Sequence, residues 1–163
     1  MSVFKKINVA VIGATGFTGL DLVYMLSKHP KVKITNLCAT QSKGKRISIF
    51  DKRIKKKLPK ISSIDKVDWN NLDLIFLSLP NGEAQKIVKK TYKKYKKLKY
   101  IDLSADFRIT DHKIYFKNYK IKQRSFQLIL TIDGTLGKFL FILLSMKDIF
   151  FPMLWIAHMF IIF

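Results

Sequence analysis

Apolar and polar positions along the first hundred residues alternate between two rhythms. Residues Ile7–Ile12 form a short, mostly apolar run that predicts a strand. The next stretch places Leu22, Val23 and Leu26 on one face of a helix reaching about Lys28, where Pro30 helps to stop it. A second strand follows over Val32–Cys38. Residues 41–68 are rich in Lys, Ser and Ile with weak periodicity, which predicts a short helix or irregular cover. Residues 72–79 are almost continuously apolar, the signature of a strand buried on both faces of a parallel sheet. Pro80, Asn81 and Gly82 break that run. Ala84, Ile87, Val88, Thr91, Tyr95 and Leu98 then recur at steps of three and four, predicting a helix as far as Leu98. Residues 99–103 read as a fourth strand. The alternation predicts an α/β fold with an open, mostly parallel sheet.

Composition divides the chain. Residues 1–124 carry 29 Lys/Arg against 9 Asp/Glu, the whole of the +20 net charge. Residues 125–163 carry two of each sign, and 26 of those 39 are apolar. The expected organisation is therefore a domain over 1–124 and an atypical apolar tail over 125–163. The last 15 residues hold no Asp, Glu, Lys or Arg, but a membrane-crossing helix needs about 20. A membrane span is not the expectation; an aggregation-prone tail and a packed terminal element both remain open.

The basic excess invites a nucleic-acid reading through phosphate attraction. Its make-up argues against a specific one, since 27 of the 31 basic residues are Lys and only 4 are Arg, whereas base edges and phosphate forks favour Arg. Lys86, Lys89, Lys90, Lys93, Lys94, Lys96 and Lys97 read as a solvated helix face. Cys38 is the single cysteine, which excludes an internal disulfide or thiolate metal site. With no cleavable apolar leader in view, a cytoplasmic location is expected.

The strongest local signal lies between the first strand and first helix, at Gly13-Ala14-Thr15-Gly16-Phe17-Thr18-Gly19. Gly13 permits a sharp turn, Gly16 a close backbone approach to a pyrophosphate, and Gly19 tight helix–strand contact. In this setting the trio predicts a Rossmann-like dinucleotide-binding domain. An NAD-preferring site places an acid at the end of the second strand; Cys38 is followed instead by Ser42, Lys43, Lys45 and Arg46. Those residues suit a 2′-phosphate and favour NADP, unless they simply belong to the general lysine excess.

The glycine string, Ser42 with Gly44 and Lys45, the Leu79-Pro80-Asn81-Gly82 turn and Ile101-Asp102-Leu103-Ser104-Ala105-Asp106-Phe107-Arg108 together resemble the N-acetyl-gamma-glutamyl-phosphate reductases. Asp111, Tyr115 and Tyr119 continue the pattern, and the resemblance covers residues 5 to about 120. The glycine string alone is shared with aspartate-semialdehyde dehydrogenases, whose cofactor domain is the alternative.

The resemblance implies an NADPH-dependent oxidoreductase of arginine biosynthesis, homo-oligomeric and about twice this length. It implies that a Cys thiolate attacks an acyl phosphate to give a thioester, that hydride reduces the thioester, and that a His acts as acid and base. The soft nucleophile suits such chemistry, because its adduct accepts hydride. It also implies that Pro80 borders the cofactor, and that Ser104 and Arg108 meet the phosphate of a small-molecule substrate. Alternatively, Arg108 pairs with Asp102 or Asp106 to stiffen its own loop.

The family's Asn-Pro-Gly-Cys segment has no counterpart after residue 120. Cys38 reads as buried and inert, His158 sits in an apolar run, and His112 reads as a surface residue. No catalytic residue is therefore assigned. His29, at a helix end, reads as a cation favoured by the dipole. The expectation is a truncated chain holding the cofactor-binding part of such a reductase, or a non-catalytic NADP(H)-binding module. Loss of the motif pattern near residue 124 coincides with the break in composition, as an out-of-frame continuation would produce; real divergence is the other account.

Overall fold

The computed structural model describes residues 6–104, 106–107 and 111–122. The expected tail over 125–163 lies outside these residues. β1 (Ile7–Ile12), β2 (Val32–Cys38), β3 (Ile61–Ser62), β4 (Leu74–Leu77) and β5 (Lys99–Asp102) form one sheet in the order β3-β2-β1-β4-β5. Every pairing is parallel. α1 (Phe17–Lys28) links β1 to β2, α2 (Glu83–Thr91) links β4 to β5, and α3 (His112–Tyr119) follows β5.

Strand alternation sends side chains to two cores. Val9 and Val11 of β1 and Leu74 and Phe76 of β4 join Leu22, Val23 and Leu26 of α1 on one face. Ala10, Ile12, Ile75 and Leu77 join Ala84 and Val88 of α2 on the other. The period-2 pattern thus splits consecutive apolar residues between layers. Each large side chain so enclosed contributes roughly 1.5–3 kcal/mol. From the central β1, the chain proceeds outward one way through β2 and β3, then returns to β4 and proceeds the other way. That reversal leaves a crevice at the carboxyl ends of β1 and β4.

Two expectations from periodicity need correction. The stretch 41–68 holds a fifth strand, β3, with short 3-10 turns at Ile47–Ile49 and Ile64–Lys66. β3 pairs only Leu37 with Ile61 and Cys38 with Ser62, too short a run to show a period. The second helix ends at Thr91 rather than at Leu98. Thr91 turns its hydroxyl back onto the Ile87 carbonyl at 2.8 Å, a bond that competes with helix propagation. Around and beyond it, lysines at 90, 93, 94, 96 and 97 fall three and four apart and repel one another. Tyr95 and Leu98 still pack on the α2-side core, from turns rather than from helix.

Among the described residues, no helix is long and apolar enough to cross a membrane.

Candidate functional site: the crevice at the carboxyl ends of the sheet

The glycine turn is tied to β2 as the chain leaves β1. Gly13 and Ala14 donate to the Cys38 carbonyl at 2.8 and 3.0 Å, and Ser78 donates to the Ile12 carbonyl at 2.8 Å. Gly13 has φ +84°, and a Cβ on it would lie 1.9 Å from the Ser78 carbonyl oxygen. A Cβ on Gly19 would lie 2.1 Å from the Gly13 carbonyl oxygen. Backbone contacts within the protein therefore require both glycines.

Gly16 differs. Its φ of −71° and ψ of 163° are open to any residue, and the nearest atom to an added Cβ lies 3.4 Å away, an ordinary contact. The fold itself does not need glycine here, and the residue is exposed. The exposed bare backbone at this point leaves room for a group approaching from outside.

The adjoining helix end has matching chemistry. α1 starts with no side-chain cap and no acid in its first turn. Its first N–H groups have no intrahelical acceptor, and the positive end of the dipole is unopposed. A pyrophosphate fits that arrangement. Ala14 is buried, Thr15 and Thr18 are half-buried, and Phe17 is 88% exposed beside the cradle.

Beyond β2, Ser42 and Gly44 take positive φ values of 72° and 80°. The loop is anchored by Gly44 donating to the Ile61 carbonyl at 2.8 Å and Ile61 donating to that of Lys45 at 2.9 Å. Lys43, Lys45 and Arg46 are exposed on it, while Ser42 is half-buried. The structure also adds an acid that sequence order concealed. Asp65, from the turn after β3, helps to raise the Cys38 thiol and is itself held low mainly by the Ser63 hydroxyl, with Lys43 contributing.

Cys38 is 1% exposed, and burial is the main cause of its raised thiol pKa. It packs in the core rather than facing a ligand. His29 departs from the expected cation. Its Nδ1 accepts from the Lys31 N–H at 3.0 Å, and burial, aided by Lys31, lowers its pKa. Desolvation outweighs the helix dipole there.

On the other side of the crevice the loop after β5 is an ordered network. Ser104 is buried; its N–H and hydroxyl donate to Asp102 at 3.0 and 2.8 Å. Burial pushes the Asp102 carboxyl up to about 6, against the lowering effect of those bonds. Asp106, 0% exposed, accepts from the N–H groups of Gly82 and Gln85 at 2.6 and 3.1 Å. It also accepts from the Tyr115 hydroxyl at 2.5 Å. Pro80 is exposed on the turn between β4 and α2, His112 is exposed at the start of α3, and Arg108 and His158 lie outside the described residues.

In the sequence Asp106 stood only as an alternative partner for Arg108 within its own loop. Its grip on the first turn of α2 depends on partners 24 and 21 residues away; the positive φ required at Gly82 was the one local hint.

Comparison with known proteins gives a consistent picture. The family model described as "Semialdehyde dehydrogenase, NAD binding domain" matches residues 8–134. N-acetyl-gamma-glutamyl-phosphate reductase of Ehrlichia canis is 48% identical over 118 residues, covering 71% of this chain and 33% of the relative. The protein of that name from Afipia carboxidovorans is 39% identical over 118 residues, covering 71% and 34%. A probable chloroplastic one from Oryza sativa is 34% identical over 125 residues, covering 76% and 29%. The chain thus spans about a third of the length of the curated relatives it matches. Among solved structures, aspartate semialdehyde dehydrogenase with NADP from Candida albicans superposes with a TM-score of 0.50 at 22% identity, over 64% of this chain and 31% of that one. Aspartate semialdehyde dehydrogenase II complexed with ASA from Vibrio cholerae gives 0.50 and 22%, over 64% and 30%. At that identity the two structures bear on fold.

Proposed function

Because the chain belongs to the semialdehyde dehydrogenase NAD-binding domain family, we propose that it forms the NADP(H)-binding part of an N-acetyl-gamma-glutamyl-phosphate reductase. The observation that carries this reading is the 34–48% identity to proteins of that name over the stretch that builds the crevice. In that role the protein would serve the NADPH-dependent reduction of N-acetyl-glutamyl 5-phosphate to its semialdehyde, a step of arginine biosynthesis in the cytoplasm. When bound, the cofactor supplies hydride. The chain's own residues bind and orient it. The exposed backbone at Gly16 and the first N–H groups of α1 receive the pyrophosphate, with Thr15, Phe17 and Thr18 around them. Ser42, Lys43, Lys45 and Arg46 receive the 2′-phosphate, and Pro80 borders the nicotinamide side. Ser104 and Arg108 belong to the loop assigned to the substrate's phosphate.

NADP is preferred over NAD on the strength of the exposed cations on the loop after β2. Asp65 does not reverse the preference, because Lys43 lies within its electrostatic reach. Titration of the folded chain with NADPH and NADH, followed by fluorescence, tests both points. Saturable NADPH binding with weaker NADH binding is expected, and it should survive moderate salt, unlike adhesion driven by the lysine excess. Absence of saturable binding by folded protein overturns the cofactor assignment.

A second reading, a cofactor-binding module without chemistry of its own, is favoured by one observation. The sequence holds a single thiol, and Cys38 is buried with its pKa raised, the reverse of an activated nucleophile. Turnover in this pathway then requires a cysteine from a separate catalytic segment. Acyl-phosphate reduction measured with and without such a segment separates the readings: activity restored by it supports the reductase, and none supports the module.

A further inference from the structure

The crevice has two sides, and the described interactions that shape the second converge on one buried side chain. Both oxygens of Asp106 accept hydrogen bonds. One takes the Gly82 N–H at 2.6 Å and the Tyr115 hydroxyl at 2.5 Å, and the other takes the Gln85 N–H at 3.1 Å. Its own N–H donates to the Ser104 hydroxyl at 3.1 Å. A single residue thereby joins the turn after β4, the first turn of α2, the helix α3 and the loop after β5.

The turn at 80–82 is the part of this assembly that nears the cofactor cradle. Two residues before it, the Ser78 carbonyl presses on Gly13 closely enough to exclude any Cβ. Gly82 is held at φ +90°, and an added Cβ would meet Ile121 at 3.2 Å. The turn is thus fixed at one end by the glycine loop and at the other by Asp106. In a doubly wound sheet a dinucleotide lies across the strand-order reversal, its two halves on opposite sides of the first strand. The Ser42–Arg46 loop takes the side of β2 and β3, and the 80–82 turn the side of β4.

We propose that Asp106 is a positioning residue for the nicotinamide side of the crevice, setting the 80–82 turn against the glycine loop without touching the cofactor. This rests on the cofactor assignment made above. Asparagine at 106 tests it sharply, since the Asn amide replaces one acceptor oxygen with a donor. Either Gln85 or the Gly82–Tyr115 pair then faces a donor, and the turn loses an anchor. Tyr115→Phe keeps the ring and removes a single bond. Burial raises the Tyr115 phenol, so in the wild-type chain it remains a donor.

The test uses the full chain and two probes. NADPH spans the crevice, whereas adenosine 2′,5′-bisphosphate occupies only the adenosine side. Asp106→Asn is expected to weaken NADPH binding at least tenfold and to change binding of the bisphosphate less than twofold. Tyr115→Phe should act in the same direction by three- to fivefold. Cooperative thermal unfolding of each variant establishes that it is folded. Equal losses for both probes, or unchanged NADPH affinity in a folded variant, overturn the proposal. If Asp106→Asn fails to fold, Tyr115→Phe decides alone: wild-type affinity for NADPH rejects the positioning role. A wild-type chain that binds neither probe removes the cofactor assignment, and this proposal with it.

Discussion

Alanine at each of the three glycines separates what the fold needs from what the ligand needs. At Gly13 a Cβ would sit 1.9 Å from a backbone oxygen on a residue with φ +84°, and at Gly19 it would sit 2.1 Å from another. Neither obstacle is a flexible side chain, so backbone must move. Alanine at 19 gains up to about 1 kcal/mol of helix propensity, but relieving an overlap of more than an ångström costs roughly 3 kcal/mol or more. Against a total stability of about 5–15 kcal/mol, and at about 2–4 °C per kcal/mol, Gly19→Ala should lower Tm by roughly 4–12 °C. Gly13→Ala, with conformational strain added, should lower it further.

Gly16→Ala should behave differently. Its backbone angles suit alanine, which restricts the unfolded chain and adds about 0.4–1 kcal/mol. Alanine is a poorer N-cap than glycine by a similar amount. The two nearly cancel, so Tm should stay within about 3 °C. NADPH binding should nevertheless fall at least tenfold, or about 1.4 kcal/mol, because the methyl group stands where the pyrophosphate is proposed to approach. Thermal melts with NADPH titration on all three variants check the pattern. Gly16→Ala binding NADPH as tightly as wild type would refute the assignment of Gly16 to the ligand. A Gly19→Ala chain as stable as wild type would refute the packing argument.

Cys38, buried with a raised pKa, should react with a thiol reagent only on unfolding; rapid stoichiometric labelling of the native chain would contradict its placement. The His29 pKa is lowered, so below its ordinary value of about 6.5 the unfolded chain takes up the proton first. Stability should fall as pH drops from there toward the folded value, and His29→Gln should flatten that part of the Tm-versus-pH profile. Asp102 has the opposite sign. Its folded pKa of about 6 lies above the ordinary 3.8, so the wild type loses stability as pH rises between them. The Tm of Asp102→Asn relative to wild type should therefore increase from pH 4 to 6 and level off above; a difference independent of pH would show that Asp102 titrates normally.

What the sequence made legible is what depends on near neighbours in the chain. α1 begins and ends where the glycine turn, its apolar face and Pro30 place it, because each of those signals acts within a turn or two of helix. β1 and β2 have the predicted bounds for the same reason. The helix after β4 was overextended because Tyr95 and Leu98 do face the core. Burial and helical spacing were both correct, yet the Thr91 back-bond and the lysine repulsion ended the helix between them. Periodicity reports which side chains are inside, and it does not by itself report the backbone that puts them there.

The two sides of the crevice show where such reading stops. Absence of an acid after Cys38 was a sound local observation, but β3 returns the chain to the same sheet edge and brings Asp65 with it. On the other side, the residues around Asp106 were visible as a family string while its hydrogen-bond partners were not. A carboxyl group that accepts from residues 82, 85 and 115 has no periodic or compositional trace. Its trace is indirect, in a glycine at 82 that takes φ +90° in the turn Asp106 holds. A glycine within a recognisable turn is thus the sequence feature that accompanies this long-range anchor. In this chain the contacts lead from Gly82 to Asp106, and through it to the geometry proposed for the nicotinamide side.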